Sequence, residues 1–190
     1  AYDYWDFDTL EAAHGRTPAV ATGIKRVLPD RLVFTYQGDG DLAAIGTAEI
    51  IHAGNRGENI SVVFVNNGVY GMTGGQMAPT TLIGQTTATS QYTRRAAKEG
   101  FPIKILEMMS HLTGVVYLER TSVHSPGEVL KTKRAIKKSF ETQLAGKGFS
   151  MVEVLSPCPT YWGLSPEKSM ERIEKEVGKE YPLGVVKCVV

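Results

Sequence analysis

Apolar residues gather in four short runs along the chain. They are Leu32-Val33-Phe34, Ser61-Val62-Val63-Phe64-Val65, residues 115–123, and Phe149-Ser150-Met151-Val152-Glu153-Val154-Leu155. Runs of this length read as buried strands. Between the first two, residues 42–54 are helix-compatible and rich in small side chains. This makes one strand-helix-strand unit, and polar residues follow each strand. Residues 17–28 read as a small-residue helix stopped by Pro29, and residues 102–112 as another helix. Ser125-Pro126-Gly127-Glu128 starts a third: Ser at the cap, Pro at the first helical position and Glu at the third. That helix is expected to run to about Leu144 and stop near Gly146. A last helix begins at Ser165-Pro166 and ends near Val177-Gly178. Residues 73–94 are rich in Thr, Gly and Gln without periodicity, so they read as a long loop near the second strand's end. Such loops are usually functional or mobile. The expected fold is α/β: an open, mainly parallel sheet with helices on both faces.

In the 128–144 helix, Val129, Ile136, Phe140 and Leu144 fall on one face, while Lys131, Arg134 and Lys138 fall on the other. The basic face reads first as a solvated face and second as a dock for an acidic electron carrier. His52 is expected to pack on the sheet, and His111 and His124 to be structural or exposed.

Composition narrows the class. The 190 residues suffice for one core, so we expect a single domain over 1–190. Hydrophobic content is 42% and the formal net charge is +1. Neither points to nucleic acid or an acidic membrane surface. No apolar run approaches a membrane span. The two cysteines, Cys158 and Cys188, make no disulfide framework, and a reducing cytoplasm is the simplest fit.

The chemistry concentrates after the first two strands, at Gly38-Asp39-Gly40-Asp41 and Asn66-Asn67-Gly68-Val69-Tyr70. Ligands of open parallel sheets bind at the carboxyl ends of strands. Asp39 and Asn67 offer hard oxygens suited to Mg²⁺, and the Val69 carbonyl offers a third. Gly38 and Gly40 let a diphosphate approach the backbone. The N–H groups of Gly40, Asp41 and Leu42 open a helix, where unpaired donors favour an anion. The competing reading makes Asp39 or Asp41 a plain helix cap.

The paired motif resembles that of thiamine diphosphate enzymes, and most closely the β subunit of 2-oxoacid:ferredoxin oxidoreductases. His14-Gly15-Arg16, Ala19-Val20-Ala21-Thr22-Gly23-Ile24-Lys25, the Gly38–Asp41 stretch, Tyr70-Gly71-Met72-Thr73-Gly74-Gly75-Gln76 and Cys158-Pro159-Thr160 carry the likeness, in that order. It implies that Asp39, Asn67 and the Val69 carbonyl hold Mg²⁺, and that Gly40 to Leu42 and the Gly71-Met72-Thr73 turn hold the cofactor. It also implies oxidative decarboxylation of a 2-oxoacid to acyl-coenzyme A, with electrons passing through iron-sulfur centres to ferredoxin. The wording of the motifs is nearer to enzymes of 2-oxoglutarate or branched-chain 2-oxoacids. The family's activating glutamate belongs to the α subunit, so we assign no catalytic acid or base here. The isolated chain is expected to be inactive without that subunit and any γ or δ subunits. Family members carry three further cysteines upstream. With the counterpart of Cys158 these ligate a [4Fe-4S] cluster. The chain opens at Ala1 without Met, and we expect it to lack that segment. Read without the likeness, Cys158 is a buried cysteine. The alternatives are a thiamine-dependent decarboxylase or synthase without iron-sulfur chemistry, and a non-catalytic assembly module of the same fold.

Overall fold

The computed structural model describes residues 4–189; the first three residues and the last of the expected 1–190 domain lie outside the described residues. Five strands form one sheet: β1 (Phe34–Gly38), β2 (Ser61–Asn66), β5 (Val115–Ser122), β6 (Phe149–Leu155) and β7 (Gly184–Cys188). Their order is β1-β2-β6-β5-β7. The first four are mutually parallel, and β7 runs antiparallel along β5. A separate two-stranded ribbon joins β3 (Val69–Tyr70) to β4 (Gln76–Met77).

Strand alternation sorts the core into two layers. Val62 and Phe64 of β2, with Phe149 and Met151 of β6, pack with Ala21, Ile50, Ala53, Leu106 and Met109. These come from α1 (Thr17–Val27), α2 (Thr47–Asn55) and α4 (Ile105–Ser110). Val63, Val152 and Val154 face the other way, toward Ala135 and Ile136 of α5 (Pro126–Leu144). Helices therefore cover both faces, as the sequence pattern predicts. Three short helices, α3 (Ala96–Glu99), α6 (Pro159–Trp162) and α8 (Gly178–Glu180), complete the chain with α7 (Pro166–Arg172).

Several expectations shift. The first strand is not residues 32–34 but Phe34–Gly38. Thr35 and Gln37, both buried, continue it, because polar β-formers can line a covered face. The helix expected over 42–54 is split into a π-helical turn, Asp41–Ile45, and α2. The last helix likewise passes from α7 into a π-helical stretch, Ile173–Val177. The helix expected over 102–112 shortens to α4, and β7 is an edge strand that no apolar alternation announced. His52 is exposed rather than packed on the sheet.

The boundaries of α5 match expectation, and Ser125 accepts from the Glu128 N–H at 3.3 Å. Its buried face does not match. Val129 and Leu144 are exposed, while Thr132, Ala135, Ser139, Thr142 and Gln143 are buried. The strands beneath present Ser61 and Ser150 as well as the valines, so hydrogen bonds add to the apolar contacts of Ala135, Ile136 and Phe140. Ser139 and Ser150 hydroxyls lie 2.8 Å apart. The Gln143 amide accepts from Val33 N–H and donates to Val33 C=O, both at 2.7 Å, acting as a substitute strand backbone.

A charged chain is buried on the opposite face. Arg120 and Glu153 are each 1% exposed and paired at 2.7 Å. Arg120 also makes a two-pronged contact with Glu107 at 2.7 and 2.8 Å, and Glu153 accepts from the Asn66 amide at 2.7 Å. The two carboxylates hold the guanidinium above its ordinary value although burial pulls it down. Removing one member of such a pair strands a charge in the core. We predict that Arg120→Met costs about 3–5 kcal/mol in urea unfolding. The double variant Arg120→Met/Glu153→Leu should recover most of it. A single variant within about 1 kcal/mol of the parent would show that the pair is not coupled.

Candidate functional site

The parallel register places Gly38 beside Val65, so the chain leaves β1 and β2 at neighbouring points. Asp39 follows β1 directly and opens the helical stretch with Gly40. Its side chain is 2% exposed. Three segments donate to it: the Gly40 N–H to Oδ1 at 2.9 Å, the Gly68 N–H to Oδ2 at 2.7 Å, and the Thr80 hydroxyl to Oδ2 at 2.6 Å. Burial outweighs these bonds and raises Asp39 from 3.8 to about 6, with no cationic side chain among the influences. The Asn67 N–H is a further backbone donor acting on the same carboxylate.

The turn after β2 is pinned at every peptide. The Asn67 side-chain oxygen accepts from Val69 N–H at 3.1 Å, an Asx turn. Gly68 sits at φ +70°, a region that favours glycine. Its N–H goes to Asp39, and its carbonyl accepts from the Thr81 hydroxyl at 2.6 Å. The Asn67 carbonyl accepts from the Trp162 indole at 3.0 Å. Asp39, Asn67 and Val69 are thus brought to one place by a shared hydrogen-bond set.

The other expected residues divide. Gly40 lies under the Tyr70 ring: a Cβ there would approach ring atoms to 2.2–2.6 Å. The Tyr70 hydroxyl donates to the Gly40 carbonyl at 3.2 Å, and burial, then the charges of Asp39 and Asp41, keep that phenol protonated. The Gly40 N–H is committed to Asp39, so it does not wait for an anion. The Asp41 carboxylate is occupied as well. It accepts from the Gln37 amide at 2.6 Å, from the Gly15 N–H, and faces His14 Nδ1 at 3.1 Å. The His14-Gly15-Arg16 turn is thereby strapped to the start of the π-helical turn. Leu42 is fully buried and contributes its backbone at most. Gly71 is half-buried, Thr73 is exposed and bonds Gln76 at 2.8 Å, and Met72 is 99% exposed. Cys158 is half-buried, and a Cβ on Gly71 would lie 3.7 Å from its Sγ and 3.8 Å from Asn67 Nδ2. Among the described residues no three His, Cys, Asp or Glu side chains gather as a metal site.

Thr80, Thr81 and Trp162 were not foreseen. The two threonines lie in the loop expected over 73–94, which is irregular apart from β4 and one bridge. Arg94, 4% exposed, braces it by donating to the carbonyls of Pro79 at 2.9 Å and Phe101 at 2.8 Å. The composition signalled a functional loop, but not which threonines face the carboxylate.

Residues 2–154 match the family described as "Thiamine pyrophosphate enzyme, C-terminal TPP binding domain". The chain belongs to this family. It is 49% identical over 183 residues to ketoisovalerate oxidoreductase subunit VorA of Methanothermobacter thermautotrophicus, covering 96% of this chain and 38% of that protein. It is 38% identical over 172 residues to 2-oxoglutarate synthase subunit KorB of Archaeoglobus fulgidus, covering 90% and 60%. The chain therefore spans less than two thirds of each of these relatives, 38% of one and 60% of the other. The solved 2-oxoglutarate:ferredoxin oxidoreductase from Magnetococcus marinus, with 2-oxoglutarate, coenzyme A and succinyl-CoA bound, superposes with a TM-score of 0.70. Identity there is 25%, over 93% of this chain and 63% of that one.

The donor set fits a divalent cation of the family's cofactor. A carboxylate buried without a basic partner is a group that a hard cation neutralises. Protons and the cation compete for that carboxylate. We predict that Mg²⁺ uptake weakens about tenfold per pH unit below about 6 and is flat above it. Without the cation the sign reverses. The native value exceeds the unfolded one, so Asp39's contribution to stability falls as pH rises from about 4 to about 6. Calorimetric titration across pH 5–8 checks the first statement, and a profile that is level through pH 5–6 contradicts it.

Proposed function

We propose that this chain is the thiamine diphosphate-binding part of a 2-oxoacid:ferredoxin oxidoreductase, the role of its β subunit. The observation that carries the reading is the buried Asp39 carboxylate tied to the Asn67 turn at the carboxyl ends of adjacent parallel strands. Asp39, the Asn67 side-chain oxygen and the Val69 carbonyl hold Mg²⁺. Gly38 and the Asp41 and Leu42 backbone form the floor for the diphosphate, and Gly40, beneath the Tyr70 ring, shapes that floor from within. The Gly71-Met72-Thr73 turn completes the cofactor contacts.

Bound thiamine diphosphate supplies the electron sink for decarboxylating a 2-oxoacid. The chain's own residues anchor and orient. Asp39 neutralises the cation, Tyr70 presses its ring on Gly40, and the pinned turn keeps Asn67 in place. No group of this chain is assigned as a catalytic acid or base. Cys158 stands beside the same turn, in reach of a cluster whose other thiolates must come from elsewhere. The 190 residues hold two cysteines and a [4Fe-4S] cluster takes four, so we route no step through it. The partners are an α subunit, with γ or δ subunits where present, ferredoxin, coenzyme A and a 2-oxoacid of the 2-oxoglutarate or branched-chain type. The setting is cytoplasmic; no helix of the described residues is long and apolar enough to cross a membrane. The names of the relatives favour this reading over a decarboxylase or synthase without iron-sulfur chemistry.

Two measurements test it. Asp39→Ala should abolish Mg²⁺-dependent binding of thiamine diphosphate, a loss of at least about a hundredfold, the scale of removing a charged ligand. Unchanged affinity by calorimetry would remove the site. The chain alone, given cofactor, Mg²⁺, coenzyme A, a 2-oxoacid panel and an electron acceptor, should show no turnover. Adding the α subunit and a form carrying the cysteine segment should restore it. Turnover by these 190 residues alone would contradict the division of labour.

A further inference from the structure

The Asn67 turn is gripped from a direction that the diphosphate motif does not include. The short helix α6 runs from Pro159 to Trp162, immediately after Cys158. Gly163 ends it in a left-handed cap at φ +66°. The indole N–H donates to the Asn67 carbonyl at 3.0 Å. The Arg172 guanidinium stacks over the indole at 4.7 Å. The same Arg172 donates to Gln85 Oε1 at 3.2 Å, and Gln85 Oε1 lies 3.6 Å from where a Cβ on Gly68 would sit. One bracket therefore reaches the turn at Asn67 and flanks it at Gly68.

We infer that Trp162 is a positioning residue for the cation-binding turn, and that it couples the Cys158 segment to that turn. The inference rests on the proposed Mg²⁺-diphosphate site. An asparagine ligand is only as well placed as its own peptide. The Asn67–Gly68 peptide is held at both ends: its N–H by Asp39 and its carbonyl by the indole. The next carbonyl, that of Gly68, is held by Thr81. Without the indole the Asn67–Gly68 peptide is held at its N–H alone and can tilt, and Asn67 Oδ1 with it. Binding the cation would then have to fix a rotation that Trp162 fixes in advance, which is the general gain from preorganisation. Arg172 holds the ring in register by cation–π stacking.

The test uses the full chain with Mg²⁺ and thiamine diphosphate as probes. Trp162→Phe keeps an aromatic ring under Arg172 and removes only the N–H. At saturating Mg²⁺ its affinity for thiamine diphosphate should fall about tenfold, the scale of one buried hydrogen bond. Titrations are run well below the unfolding midpoint of each variant, with far-ultraviolet circular dichroism unchanged. Arg172→Met keeps the indole donor and should lose about threefold, a weaker effect because only the stacking goes. A third measurement does not depend on a variant of Trp162. In a Trp5→Phe background Trp162 is the remaining tryptophan, and its emission should change when Mg²⁺ and the cofactor bind. If the parent chain shows no Mg²⁺-dependent binding, the site reading fails and this inference with it. If the parent binds and Trp162→Phe binds equally well, the site stands and the positioning role is overturned. A parent that binds with no change in Trp162 emission also overturns it.

Discussion

One buried charge organises the working end of this protein. Asp39 has lost its water and gained no basic side chain, so its carboxylate must be satisfied by donors. Those donors come from its own next residue, from the turn after β2 and from the loop that follows β4. A single group thus ties together three segments about 30 and 40 residues apart in sequence, as the spacing of Asp39 to Gly68 and Thr80 shows. The hydrogen bonds do not fully offset burial, as the raised titration of Asp39 shows. In the proposed site a bound cation would offset that residual cost. The site is therefore strained electrostatically in favour of its ligand, at some expense to the fold without it.

The rest of the sheet supports that arrangement from below. Asn66 precedes the turn, and its amide is held by Glu153, which is held by Arg120, which is held by Glu107. The series runs across three adjacent strands near their carboxyl ends, and ends at a partly exposed carboxylate on α4. It carries no atom to the cation. What it does is fix the last residue of β2 against rotation, so that the turn begins from a defined point. A layer of apolar side chains would fill the same volume but would not specify the direction of the Asn66 amide.

Much of this was legible in the sequence, and the failures have a common physical cause. The strand Phe149–Leu155 and the start of α5 at Ser125-Pro126 are local signals: apolar continuity and a capping side chain. That Asp39 and Asn67 lie together was legible because each follows a strand of one parallel strand-helix-strand unit. What escaped was whatever depends on a partner distant in sequence. The polar face of α5 is buried because Ser61 and Ser150 lie beneath it, 78 and 11 residues from Ser139. Thr80 matters because it meets a carboxylate 41 residues away, and Trp162 because it meets a carbonyl 95 residues away. Strand β7 lies on the sheet's edge and is largely exposed, so it needed no hydrophobic alternation to form.

The same geometry explains why the chain anchors a cofactor but is assigned no proton transfer. A general acid or base needs a pKa near the working pH and a free face toward the substrate. Asp39 has the first property, but it is buried among its donors and has no free face. The Asp41 carboxylate is spent on the Gly15 turn and Gln37. Tyr70 is turned onto Gly40, and burial, then the charges of Asp39 and Asp41, raise its phenol above the ordinary value and keep it protonated. Each ionisable group that the motif brings to this sheet edge is thus bound into holding the turn, and the acid-base step must come from a surface facing it. In the proposed assembly, an anchoring half with its polar groups already committed would present the cofactor to a second subunit as a rigid surface.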